Sequence, residues 1–123
     1  TSKTAVNDLL NAGVDVILEI DWQGALQVKR QLKDAVLIFI LPPNREALRS
    51  RLSNRAQDTL KVIEERLAGA VREMQEYVNF DYIVINDDFN QALNELQSIV
   101  CTYRLQVTKQ SAKNQQLISD LLS

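Results

Sequence analysis

A chain of 123 residues is long enough to bury one domain-sized core. Its net charge of −2 offers no general attraction to nucleic acid or an anionic membrane. No apolar run approaches the roughly 20 residues of a membrane span, and the N-terminus has no secretory-signal pattern. With no His there is no histidine metal site, histidine general base or Ser-His-Asp triad. With Cys101 as its only Cys, the chain forms no intrachain disulfide, which fits a reducing compartment.

Residues 3–12 read as a helix, capped by Ser2, with Val6, Leu9 and Leu10 as its buried stripe and Gly13 as its end. Residues 14–21 read as a strand and 24–33 as a short helix with Ala25, Val28 and Leu32 inward. The run VLIFIL (36–41) is apolar at every position, which predicts a strand covered on both faces. Pro42-Pro43 stops it. Asn44 then caps a helix to about Leu52, with Glu46 in the first turn.

Residues 53–58 (SNRAQD) are polar and irregular. A long helix follows over 59–78, where Leu60, Ile63, Leu67, Ala70, Val71, Met74 and Val78 keep the helical period. Residues 82–85 form another short strand. Asp88-Phe-Asn-Gln91 resembles a capping box opening a helix with Leu93, Leu96, Val100 and Tyr103 on its apolar stripe. Cys101, beside Val100, reads as a buried packing residue. Residues 111–122 make a weaker last helix. Strands separated by helices predict an α/β fold with a parallel sheet, which binds ligands at the carboxyl ends of its strands.

The segment VILEIDWQGA (16–25) places Glu19 and Asp21 two apart at a predicted strand end. Val16, Leu18 and Ile20 point one way, and Ile17, Glu19 and Asp21 the other. Two neighbouring carboxylates repel unless a cation or donor sits between them, so a Mg²⁺ ion or a donor-rich ligand suits the pair. Equally, Asp21 can cap the next helix while Glu19 pairs with a surface Lys or Arg. Among the arginines, Arg45, Arg49 and Arg72 read as solvated helix faces. Arg51 and Arg55 flank a loop from which a guanidinium can close over a phosphoryl group, and Arg66 is one helix away. Asn86, Asp87 and Asp88 end one strand and open a helix. Capping explains the acids, and Asn86 can instead offer an amide to a base or ribose.

Taken together, these residues resemble guanylate kinase of the bacterial type. The likeness runs from Thr1 to Leu122 and rests on Thr1-Ser2, GVDVILEIDWQGA (13–25), IFILPP (38–43), RLSNRAQD (51–58), IEERLAGAVREM (63–74) and FDYIVINDD (80–88). It implies a three-layer parallel sheet of the P-loop nucleoside monophosphate kinase type, with 1–123 as the C-terminal part of the domain and a lid at about 53–60. It implies phosphoryl transfer from ATP to GMP in purine nucleotide metabolism, in the cytoplasm, with Mg²⁺ accompanying ATP and no nucleic acid or membrane as partner. By this resemblance Ser2 contacts the GMP phosphate and Asp21 the guanine. Glu19 lies near Mg²⁺ through water. Arg51, Arg55 and Arg66 surround the transferring phosphoryl group, with Arg55 also on ATP. Asn86 and Asp87 lie by the adenosine. The opposing reading is a guanylate kinase-like module that has lost catalysis and binds partner peptides. The retained arginines and the IDWQGA segment count against it.

Two departures stand out. The lid commonly reads Gly-Arg-Gly and is Asn54-Arg55-Ala56 here, a stiffer backbone. Nowhere in the chain is there a GxxxxGK[ST] loop to cradle the ATP phosphates, and the GMP-binding insertion is also missing. The 123 residues alone are therefore expected to be inactive. The family's central P-loop strand belongs between strands 14–21 and 36–41. Without it the sheet is incomplete, which predicts a homodimer, strand exchange or a longer ordered chain filling the gap.

Overall fold

The computed structural model describes residues 2–53 and 59–123, which divide into two compact units, 1–35 and 36–123. The first unit holds two helices. Helix α1 (Lys3–Asn11) starts where the Ser2 hydroxyl accepts from the Ala5 amide at 3.1 Å, and the turn after it passes through Gly13 at φ +81°. Helix α2 (Trp22–Gln31) starts where Asp21 Oδ1 accepts from the Gly24 amide at 2.8 Å, two residues earlier than expected. Val6 and Ala25 are the buried residues of this unit.

Residues 14–21 do not form the expected strand. A strand exists by hydrogen bonding to a neighbour, and this segment pairs with none among the described residues. The alternation that suggested it survives in part. Val16 and Leu18 are half-buried, while Ile17, Glu19 and Asp21 are exposed, but Ile20 departs from the pattern at 48% exposure.

The second unit carries a βαβ crossover. Strand β1 (Ile38–Leu41) and strand β2 (Tyr82–Ile85) pair in parallel, with Ile38 opposite Tyr82 and Leu41 opposite Ile85. Between them run α3 (Arg45–Leu52) and α4 (Leu60–Met74), and a 3₁₀ turn (Gln75–Asn79) replaces the last part of the expected long helix. Asn44 caps α3 at 2.8 Å and Thr59 caps α4 at 3.3 Å, each by accepting from an amide three residues on. Of the three strands expected, two form a sheet among the described residues. Nor is β1 covered on both faces: Ile40 is 52% exposed. The unit's buried residues are Leu37, Val84 and Ala92, and Phe39 meets Phe80 edge-on at 4.7 Å between ring centroids.

Helix α5 (Phe89–Arg104) begins at Asp88, whose Oδ1 accepts from the Asn90 amide at 3.2 Å. The capping box does not close, because Gln91 donates instead to Glu95 one turn on. Cys101 is exposed, not buried, since Ile99, Val100 and Tyr103 take the covered side of α5. The predicted last helix is two, α6 (Val107–Lys113) and α7 (Gln115–Leu122). The break falls at Asn114, whose side-chain amide turns back onto the Gln110 carbonyl at 3.0 Å. No described helix is long and apolar enough to cross a membrane.

Candidate functional site

The sequence-selected residues fall on both units, and each unit presents its own group. In the first unit, Ser2 and Asp21 are both helix N-caps. Each therefore has a fixed position at a helix start, where backbone amides and the helix dipole favour negative charge. Capping does not exhaust either side chain. Ser2 Oγ accepts from Ala5 and keeps its own O–H to donate. Asp21 uses Oδ1 for Gly24 and keeps Oδ2 as an acceptor. Gly24 allows this close approach: a Cβ there would sit 3.1 Å from Asp21 Oδ1. The helix-capping reading of Asp21 is thus realised. The pairing expected of Glu19 is not, because it makes no hydrogen bond or ion pair among the described residues.

In the second unit, three segments meet at the carboxyl ends of the parallel strands. The backbone of Asn86, just past β2, donates to the Leu41 carbonyl at the end of β1 at 2.8 Å. Its own carbonyl accepts from Arg51 Nη2 at 2.9 Å, joining the last turn of α3 to the β2–α5 turn. Arg66, on α4, donates from Nη1 to the carbonyl of Leu52 at 3.1 Å, at the C-terminal end of α3. Two arginines thus converge on one helix end, where unpaired carbonyls and the dipole attract cations. A guanidinium has five N–H donors, so the Arg51 bond to one carbonyl does not exhaust that side chain. Arg49 pairs with Glu64 and ties α3 to α4 a turn earlier. Both side chains are about half exposed there, at 44% and 48%, so the pair is worth less than about 1 kcal/mol.

Asn86 is half-buried and Asp87 exposed, side by side at the strand end. Arg55, with the rest of residues 54–58, lies outside the described residues, as does most of the lid segment expected at 53–60. No group of three or more His, Cys, Asp or Glu among the described residues could hold a metal. Glu19 is an exposed carboxylate, of the kind that can meet a hydrated Mg²⁺ ion through water.

Sequence reasoning missed Asp81. Its Oδ2 accepts from the Leu37 amide at 2.8 Å, pairing residues 44 apart in the chain. The available signal was a lone acid directly ahead of a strand apolar at every position.

The family model described as guanylate kinase matches residues 1–103. A guanylate kinase from Psychrobacter arcticus is 57% identical over 123 residues, and one from Acinetobacter baylyi 52% identical over 123 residues. All of this chain is covered in both alignments, and 59% of each relative, so the chain spans a little over half the length of these proteins. Among solved structures, guanylate kinase from Anaplasma phagocytophilum superposes with a TM-score of 0.72 at 28% identity, covering 87% of this chain and 50% of that one. The two-stranded parallel sheet and its crossover agree with an incomplete fold of the P-loop kinase type. By sequence match, identity and fold, the chain belongs to the guanylate kinase family.

Proposed function

We propose that the protein carrying this chain transfers the terminal phosphoryl group of ATP to GMP, giving ADP and GDP. The observation that carries the reading is the Arg51 bond to the Asn86 carbonyl at the end of β2, with Arg66 bonded to the C-terminal end of α3, in a chain 57% identical to a protein named guanylate kinase. Phosphoryl transfer asks little covalent chemistry of a protein. It asks for positioning and for positive charge around three phosphoryl oxygens. Arg51 and Arg66, each anchored to a backbone carbonyl, supply that charge, and Arg55 adds to it from the lid segment while also contacting ATP. Asn86 and Asp87 hold the adenosine end. Mg²⁺ accompanying ATP would offset phosphate charge, and in the first unit Glu19 is the carboxylate that would meet such an ion through water.

In the first unit, Asp21 selects the base. Guanine presents N1–H and an exocyclic amine on one edge, and a fixed carboxylate oxygen accepts from such donors. Adenine lacks that pair of adjacent donors, so AMP leaves the carboxylate unsatisfied. Ser2 donates its hydroxyl to the GMP phosphate, beside the first amides of α1. The reaction places the protein with the soluble nucleotides, in the cytoplasm. The same reading predicts that a polypeptide of these 123 residues alone does not turn over, because it contains no GxxxxGK[ST] loop. A neighbouring strand, from the same protein or from a second copy, would complete the sheet at β1.

The test is a coupled ADP-release assay with ATP and Mg²⁺ on the protein at its natural length, with GMP as acceptor and AMP and UMP as controls. Release dependent on GMP is the expected result. Equal release with AMP, or none with any acceptor, contradicts the reading. Phosphopeptide capture without nucleotide binding would favour a binding module instead.

A further inference from the structure

Both paired strands are apolar at every position, Ile38 to Leu41 against Tyr82 to Ile85. Register is usually chosen by alternation, because a slip of one residue would bring polar side chains onto the core face. Here such a slip exchanges one apolar residue for another at three of the four positions in each strand. Alternation therefore discriminates weakly, and register must be fixed at the strand ends. At the carboxyl end the contact is backbone to backbone, from the Asn86 amide to the Leu41 carbonyl at 2.8 Å, a bond that shifted registers reproduce with another residue.

The amino end differs. The Leu37 amide donates to Asp81 Oδ2 at 2.8 Å, and the Leu37 carbonyl accepts from the amides of Asp81 and Tyr82 at 2.9 and 3.1 Å. Leu37 is 6% exposed, so its amide must find a partner within the protein. Only residue 81 offers a side-chain carboxylate there. A shift of one residue in either direction sets Phe80 or Tyr82 in its place.

We infer that Asp81 sets the register of β1 against β2, and so holds Asn86 where Arg51 reaches its carbonyl: a positioning residue for the adenosine end of the site. A one-residue slip moves Asn86 by about 3.3 Å and reverses the face of every β2 side chain. That breaks the Arg51 bond to Asn86 in particular and carries the Asn86 side chain away from its place. The register role stands on geometry alone, whereas its consequence for ATP rests on the guanylate kinase reading.

The experiment compares Asp81→Ala and Asp81→Asn in the natural-length protein, by amide exchange and cross-strand NMR contacts and by separate KM values for ATP and GMP. Asp81→Ala is expected to lose protection of the Leu37 amide and the Leu41–Ile85 contact. It is expected to raise KM for ATP about tenfold and leave KM for GMP unchanged. Asp81→Asn keeps an oxygen acceptor at the same distance and restores both readouts. Wild-type register, or a wild-type KM for ATP, in folded Asp81→Ala overturns the inference. Should that variant not fold, Asp81→Glu carries the test. It keeps the charge but moves the acceptor, so weakened Leu37 protection with a raised KM for ATP supports the role and unchanged values overturn it. No turnover in the unsubstituted protein, with register lost in Asp81→Ala, would contradict the kinase reading and leave the register role standing.

Discussion

The Arg51 guanidinium donates from Nη2 to the backbone carbonyl of Asn86 at 2.9 Å, across 35 residues of chain. The bond joins the last turn of α3 to the end of β2. Under the kinase reading it couples an arginine of the phosphoryl site to the residue beside the adenosine. Because the acceptor is a carbonyl oxygen, the contact does not depend on the Asn86 side chain, whose amide stays available to a ligand.

Replacing Arg51 therefore separates charge from geometry. Arg51→Lys keeps the positive charge and loses the planar fork that spans a carbonyl and a phosphate. Its kcat/KM is expected to fall about a hundredfold, with little change in Tm because the arginine is exposed. Steady-state kinetics beside a thermal melt checks this, and a lysine variant with wild-type kcat/KM would remove Arg51 from the site.

Under the kinase reading Asp21 has two jobs, the observed cap and a contact to guanine, that substitution can divide. Asparagine is as good an N-cap as aspartate, so Asp21→Asn is expected to keep the stability of α2 while raising KM for GMP at least tenfold, through loss of an ionised acceptor. Asp21→Ala loses the cap as well, costing about 1 kcal/mol. Thermal melts with and without GMP distinguish the two variants.

Gly13 turns the chain after α1 at φ +81°, and a Cβ added there would meet nothing within 4 Å. Alanine at this position has no clash to relieve, so its cost is conformational alone, about 1 kcal/mol. Asn, which tolerates that backbone region, is expected to recover much of the loss. Denaturant midpoints of the two variants give the comparison.

Val84 is 1% exposed and is the register partner of Ile40. Val84→Ala is expected to destabilise the protein by about 2 kcal/mol through lost burial and a residual cavity. Chemical denaturation should show a lower midpoint with an unchanged slope.

The helix starts are the most legible part of the sequence. Ser2 and Asn44 cap where short polar side chains precede periodic apolar residues, because a cap is settled locally, over three residues. Residues 14–21 are not legible in this way, since a strand needs a neighbour and no local pattern supplies one. The 3₁₀ turn at Gln75–Asn79 is hidden for a similar reason: Val78 continues the helical spacing but is 68% exposed. Adjacency to Val100 misleads at Cys101, because neighbours on a helix point about 100° apart. In the site, Arg51, Arg66 and Asn86 can be selected as residue types, and the structure joins Arg51 to Asn86 at the end of β2 and Arg66 to the end of α3. The backbone carbonyls they meet are invisible to any reading of side chains. Asp81 escapes notice because its partner is a backbone amide 44 residues away.

Under the kinase reading the first unit serves GMP and the strand ends of the second serve ATP. Amide chemical-shift mapping of the natural-length protein, titrated with GMP alone and then with ATP alone, tests it most directly. The account predicts that GMP moves Ser2, Asp21 and Gly24, while ATP moves Arg51, Asn86 and Asp87. GMP shifts centred on Asn86 with Asp21 and Gly24 unmoved would contradict it.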